Sequence, residues 1–566
     1  MAQQITNITI VGGGTAGWIA AAYLNHRLQW GLTARAGVKI SVIEAPGIPT
    51  VGVGEATVPT LKGTLRLLEI SEAEFIARTN ATFKLGIRFD HWQRRADGTP
   101  YGYIHPFTGG AAVRGRNPGY SFAAYGLPGE PVTHGPDFLD TISHARGAIN
   151  AMKGPRGIDA PDLSGPMQYA YHVDASLLAA FLKEVCIARG VEHVRDQVNA
   201  VKLDDRGHVA SLTLAERGEW PVELVVDCTG FSGLLINKAL GEPFDSLSDY
   251  LLNDRAIPIQ VMRKDQRAIV PATISRAMDS GWSWRIGLHS GRDGTGHVYS
   301  SSLLSDDEAE AQLRAVIGDD EVLTDPRVIK MRVGRTRRSW VRNCVAIGSS
   351  GGFLEPLESS AILSIELASR WLVQNFPSLD FEEPLQRQFN RNMARFYDEV
   401  RDFLGIHFAL ADPADTPYWA TVRNEAKLSD GLKETLAVWK HVLPSIADAR
   451  YDTIYNHWSV QSVLFGKGFY DDPKLTQVDV VPREIWRIFW AETRARRRAT
   501  LDGLPDHFDL VEAVRARALA GDTASRTPKG GGLEFMDDAV MESTRVMFDT
   551  AIARAARPVE SALRDA

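Results

Sequence analysis

Residues 8–11, Ile-Thr-Ile-Val, form a β-branched run that ends in three glycines, and residues 15–24 continue with apolar positions at helical spacing. Residues 39–44 form a second short apolar strand ending in Glu44. A strand, a glycine turn, a helix and a strand predict the βαβ opening of a dinucleotide fold. Further along, 172–189 reads as a helix, 198–214 as a hairpin or meander, and 223–228 as a buried strand entering a turn at Gly230. A strand-rich stretch follows at about 255–300, then a buried strand at 345–347 and a helix beginning near Ser359. From about 385 onward the spacing is mostly helical. Between about 55 and 160 the pattern is irregular and rich in Gly, Pro and aromatics, which suits an insertion carrying substrate contacts. The expected organisation is a core over 1–385 that includes this insertion, a helical subdomain on the substrate side over 386–520, and a linker and tail over 521–566. The linker is the glycine-rich stretch 521–532, and 533–566 is a modest helical candidate.

Composition narrows the function classes. With 63 basic and 70 acidic residues the net charge is -7, too mildly acidic for a nucleic-acid binder. The three cysteines stand far apart in apolar runs with no metal-ligand spacing, so the expectation is no metal, no disulfide and a reducing compartment. The first residues lead from polar positions into a strand without a basic or signal-type segment, and no run has the ~18 apolar residues of a membrane helix. A cytoplasmic protein with no membrane partner is expected.

Gly12, Gly14 and Gly17 form GxGxxG between the first strand and helix. The first glycine permits the tight turn, the second a close approach of backbone to pyrophosphate, and the third close helix–strand packing. Glu44 stands where a carboxylate accepts hydrogen bonds from the adenosine ribose. A structural glycine turn with a surface glutamate is the plainer alternative. Two apolar strands, 225–230 and 344–348, end in small residues and follow in the order that returns a chain to its cofactor in two-domain flavoproteins. Together they favour FAD over NAD, in an α/β fold of the glutathione-reductase or hydroxylase type.

Five segments carry a specific resemblance: GGGTAGW at 12–18, GVGEATVP at 52–59, FKLGIRF at 83–89, GWSWRIG at 281–287 and EPLESSAI at 355–362. In this order they resemble the flavin-dependent tryptophan halogenases, over about residues 6 to 515. The resemblance implies an enzyme to which a separate NAD(P)H-dependent flavin reductase supplies reduced FAD. Reduced FAD, oxygen and halide (bromide or chloride) then give hypohalous acid, which travels to an aromatic substrate held away from the flavin. Lys84 matches the family's essential lysine, whose ammonium can make the halogen more electrophilic or whose amine can become a haloamine. Glu358, not Glu355, matches the catalytic glutamate, which can take the ring proton. Each has a plainer alternative: a surface lysine on an amphipathic helix, and a helix-start glutamate. The resemblance also implies FAD contacts from Thr15, Ala16, Glu55, Ala56, Val198, Ser349 and Ile362.

Trp282 and Trp284 match paired tryptophans near the flavin, and strand alternation puts both rings on one face. Core aromatics are the competing reading. His105 and Phe107 resemble the segment that sandwiches the indole, and Trp458 extends an apolar wall or fills a helix core. The chain departs from the family at Ser360-Ala361, where Thr-Gly is usual and backbone amides hold the halide, and at Gly287, where proline is usual. Val460-Gln461 stand where free-tryptophan enzymes carry two tyrosines. Ser360-Ala361, with the easier oxidation of bromide, leads us to expect bromide to be used better than chloride. Val460-Gln461 lead us to expect free tryptophan to be a poor substrate beside indole or a larger indole compound. The sequence admits a homodimer. The competing functions are a single-component aromatic flavin monooxygenase and a flavin-binding paralogue without catalysis.

Overall fold

The computed structural model describes residues 3–30, 37–47, 54–448, 454–472, 474–476 and 478–522. The βαβ opening is present as the strand Asn7–Val11, the helix Thr15–Asn25 and the strand Lys39–Glu44. These belong to a six-stranded sheet whose order is Trp340–Val341, Cys344–Ala346, Leu224–Asp227, Asn7–Val11, Lys39–Glu44 and Glu192–Arg195. All neighbours are parallel except the first pair, so the strands are buried on both faces and read as continuous apolar runs. Of the return strands expected at 225–230 and 344–348, the first lies beside Asn7–Val11 and the second beside the first. All three cysteines are buried thiols.

A second, eight-stranded sheet supplies the other wall of the molecule. It holds the strands at 255–299 in antiparallel order and, beside them, the hairpin Gly86–Arg94 and Pro100–Pro106. The stretch 55–160 is therefore more regular than its sequence pattern. The alternation breaks because the hairpin changes register between Phe89 and Gln93, and His91 there takes a positive φ of 63°. A small sheet of Gly54–Ala56, Ala170–Asp174 and Thr82–Lys84 packs on the eight-stranded one through its first strand and carries Lys84. Residues 172–174, expected to be helical, lie in its central strand. The helix begins at Ala175, where the Asp174 carboxylate accepts from the Ser176 and Leu177 amides.

The helices Ser360–Gln374 and Glu383–Ala409 pack against each other, and further helices follow to Leu519. Among the described residues no helix is long and apolar enough to cross a membrane. Most of the expected linker and the whole 533–566 tail lie outside the described residues, as do Gly52 and Val53 of the second motif.

Candidate active site

The glycine turn meets the steric demands of a bound dinucleotide. Gly12 has φ +119°, and a Cβ there would lie 2.3 Å from the Cys228 carbonyl oxygen. A Cβ on Gly17 would lie 1.9 Å from the Gly12 oxygen, so helix and strand pack too closely for any side chain. Gly14 faces open space, with nothing within 4 Å of a built Cβ. That space belongs to a cavity of about 260 Å³ lined by Gly14, Thr15, Ala16, Glu55, Ser349 and Ile362 among others. Burial pushes the Glu55 carboxyl up to about 7. Glu44 accepts from His193 Nε2 at 2.7 Å and from Lys183 at 3.4 Å through one oxygen, and the other oxygen carries no bond in either contact. The turn, the open face at Gly14 and this acceptor fit FAD. Ala56 packs with Trp284, Ile286 and Leu288, which brings one ring of the tryptophan pair beside the cavity wall. Val198 packs against a different cluster that contains Val11 and Ile43, and it does not line the cavity.

A second cavity, of about 280 Å³, is lined by His105, Phe107, Glu358 and Tyr455 at one end. The helix Ser360–Gln374 separates the two. Ser360, Ala361 and Ile362 face the first cavity, whereas Leu363, Glu366 and Leu367 face the second. At the head of this helix Ser359 takes a left-handed conformation, φ 59° and ψ 34°, between the turn Pro356–Glu358 and the helix proper. A non-glycine residue there is uncommon and marks local strain. The kink turns the Ser359 hydroxyl toward Lys84 and leaves the first-turn amides of Ser360 and Ala361 without intrahelical acceptors. An anion is stabilised at such a terminus.

Lys84 is fully buried at the head of this helix and lines neither cavity. Its Nζ donates to the Thr57 carbonyl at 3.0 Å and to Ser359 Oγ at 2.9 Å, and sits 5.1 Å from the centre of the Phe107 ring. Burial lowers the ammonium to about 7 against the pull of Glu358. The surface-helix alternative for this lysine is thus excluded: it is on a strand with no exposure.

Glu358 is buried as well, and burial alone would raise its carboxyl. His105 Nδ1 at 2.7 Å from Oε2 and His407 Nε2 at 2.9 Å from Oε1 outweigh that and hold it down at about 2. His407 is itself driven to about 4 by burial, so at neutral pH it meets the carboxylate as a neutral imidazole. Tyr103 OH lies 2.7 Å from His407 Nδ1, and a tyrosine donating there puts the ring proton on Nε2, which lies close to Glu358 Oε1 without the alignment of a hydrogen bond. The ring is clamped by stacking on Phe89 at 4.7 Å. Glu355, three residues earlier, has a different task. It accepts from Asn253 and from Trp282 Nε1, both at 2.9 Å, and burial raises it to about 8. Trp282 and Trp284 lie 6.3 Å apart between ring centres.

His105 and Phe107 thus join Glu358, whereas Trp458 packs over Gly109 and Gly110 and does not line the second cavity. Val460 and Gln461 are buried in the helix His457–Gly466, where the Gln461 amide donates to Pro444 O at 2.6 Å. His407 and Tyr455 escaped the sequence reading. The signal for His407 was a lone histidine on the apolar face of a long helix, four residues after Phe403, a pattern more often filled by a core residue.

The tryptophan halogenase family profile matches residues 7–483. The 7-chloro-L-tryptophan 6-halogenase KtzR of Kutzneria sp. (strain 744) is 36% identical over 537 residues, 90% of this chain and 99% of that protein. Among solved structures, the tryptophan 6-halogenase SttH from Streptomyces toxytricini aligns with a TM-score of 0.82 at 34% identity, covering 90% of this chain and 100% of that one. BrvH, a flavin-dependent halogenase from Brevundimonas sp. BAL3, aligns at 0.79 and 33% identity, covering 92% and 99%. Similarity that runs nearly end to end in both partners leaves one assignment: the chain belongs to the tryptophan halogenase family.

Proposed function

We propose that the chain uses reduced FAD, oxygen and a halide to halogenate an indole-like aromatic ring, with Lys84 delivering the oxidised halogen. One observation carries this reading: a buried carboxylate lines an aromatic-walled cavity separate from a dinucleotide-type one, and a buried lysine is bonded to the head of the helix that divides them. FAD would be held by the glycine turn, Glu44 and the Glu55 side of the first cavity. Bound there, reduced FAD supplies the oxygen-activating chemistry that converts halide to hypohalous acid. The Ser360 and Ala361 amides would hold the halide on the flavin side.

Lys84 then acts on hypohalous acid. Its ammonium donates to the oxygen, which draws electrons from the halogen. The ring carbon attacks the halogen, the oxygen–halogen bond breaks, and the departing oxygen takes the ammonium proton to leave as water. Glu358, ionised at neutral pH, accepts the proton lost from the substituted ring carbon. A lysine titrating near 7 is suited to giving and regaining a proton in each cycle. In this reading the reduced flavin comes from a separate NAD(P)H-dependent reductase. A single-component monooxygenase has no use for the lysine–glutamate pair.

His407 positions Glu358 without touching the substrate cavity. His407→Phe keeps a ring against Phe89 but removes the imidazole 2.9 Å from the buried Glu358 Oε1, at about 1–3 kcal/mol. Turnover is expected to fall about tenfold or more, consistent with that range. The acid limb of the pH profile should move upward, because a less supported carboxylate protonates sooner. Unchanged turnover with an unmoved acid limb would make His407 a packing residue only.

The substrate reading is tested by kinetics with indole and free tryptophan in equal bromide and chloride. Neither Val460 nor Gln461 lines the second cavity, so the tryptophan amino-acid end lacks partners from them. Bromide is the easier halide to oxidise, and the Ala361 methyl changes the halide pocket. Indole with bromide is expected to give the higher kcat/KM by about tenfold. A higher kcat/KM for tryptophan, or predominantly chlorinated product, would refute the corresponding half.

A further inference from the structure

The second cavity is longer than an indole requires. It continues along one face of the helix Ser360–Gln374, past Leu363 and Leu367, to Arg370 and Val373. These positions recur every three to four residues, as one helix face must. From Ser360 to Arg370 is ten steps of helical rise, about 15 Å. The side chain of Arg370 can fold back over part of that length, leaving it on the order of 10 Å from the ring end. Leu67 lines the same cavity from the neighbouring helix Thr60–Leu67.

Two guanidiniums close the far end, Arg370 and Arg27, both half-buried and both lining the cavity. Among the described residues neither has a hydrogen bond or an ion-pair partner. Glu366, on the same wall four residues before Arg370, is already occupied. Its oxygens accept from Thr60 Oγ1 at 2.8 Å and from Thr64 Oγ1, and burial pushes it up to about 7. Tyr23, which shares Thr64 at 2.6 Å, lies within electrostatic reach of both arginines and of Glu366. A half-buried guanidinium without a counter-charge is poorly compensated, and two on one wall are matched by a bidentate anion. An apolar passage that ends in paired arginines calls for a substrate of the same pattern.

Building on the reading of an indole site at His105 and Phe107, we propose that the natural substrate is an extended aromatic compound. Its ring sits at that end, an apolar chain follows the Leu363–Leu367 face, and a terminal carboxylate pairs with Arg370 and Arg27. Free tryptophan carries its carboxylate too close to the ring to reach them.

The probes are 8-(indol-3-yl)octanoate and its primary amide, which differ only in charge at the chain end. Equilibrium dialysis against the FAD-loaded protein is expected to give the carboxylate at least tenfold tighter binding than the amide. Arg370→Gln and Arg27→Gln should each bring the two affinities close together, and amide binding on the same preparation reports that the cavity is intact. Equal affinities in the native protein, a preference that survives both substitutions, or no binding of either probe would overturn the proposal. Bromination of indole itself is assayed in parallel. Its failure would sink the indole-halogenase reading whatever the dialysis gives, and its success beside equal probe affinities would sink only the extended substrate.

Discussion

Lys84→Ala is expected to bind FAD and to reoxidise it in air at the native rate, while halogenated product falls by at least about 10³-fold. The reason is spatial. Lys84 does not line the glycine-turn cavity, so its loss should leave flavin chemistry untouched. Absorbance of the flavin and mass of the product, read on one preparation, separate the two steps. The pH profile adds a sign. An ammonium lowered to about 7 is lost as pH rises through 7, so halogenation per flavin reoxidised should fall across that window. A yield that rises there would assign the reaction to the neutral amine. Stability runs the other way. With the folded value near 7 and the ordinary lysine value at 10.5, the unfolded chain binds more protons between them. The contribution of Lys84 to stability therefore increases as pH rises from about 7 to 10.5. Lys84→Met, which removes a desolvated charge, should raise Tm at pH 6 and flatten this dependence. Product formed at the native rate by either variant would remove Lys84 from the chemistry.

Glu358→Gln is expected to lower turnover by about 10²-fold with the fold and flavin binding retained. The amide keeps the shape of the carboxylate and can still meet His105 and His407, but it cannot accept the ring proton. The effect should lie in kcat rather than KM, because the base acts after the ring is bound. A substrate deuterated at the halogenated carbon provides the check. A small isotope effect in the native enzyme should grow in the variant, where proton loss becomes slow. An undiminished kcat would reduce Glu358 to a helix-start residue. The native acid limb follows from the depressed value of this group. With the carboxylate held at about 2 by its two imidazoles, activity is insensitive to Glu358 protonation until the pH falls well below the ordinary carboxyl range.

The parts of this site that were legible in the sequence are those that local geometry dictates. Gly12 and Gly17 are forced by carbonyl oxygens that a Cβ would strike, so the motif announces its own contacts. Glu358 could be told from Glu355 by register, and the structure gives them separate partners, two histidines for one and Trp282 with Asn253 for the other. Long-range assembly was not legible. Residues 172–174 share apolar character with the helix that follows, and only pairing with residues 54–56 and 82–84 makes them a strand. The hairpin at 86–106 hid behind a bulge that breaks the two-residue period. His407 meets Tyr103 across 304 residues, and Arg27 and Arg370 line one cavity only because helices distant in sequence pack together.

On the proposed function, flavin chemistry and ring substitution occur in separate cavities, with Lys84 at the head of the helix that divides them. A single turnover of native protein loaded with pre-reduced FAD tests it most directly. Oxygen, bromide and a range of indole concentrations are mixed in, flavin absorbance is followed, and quenched samples are analysed for product mass. The claim predicts that flavin reoxidation is independent of indole and that bromoindole accumulates after the flavin steps. Reoxidation accelerated by indole, with hydroxylated product forming in step with it, would mean direct transfer from flavin to ring and would contradict the claim.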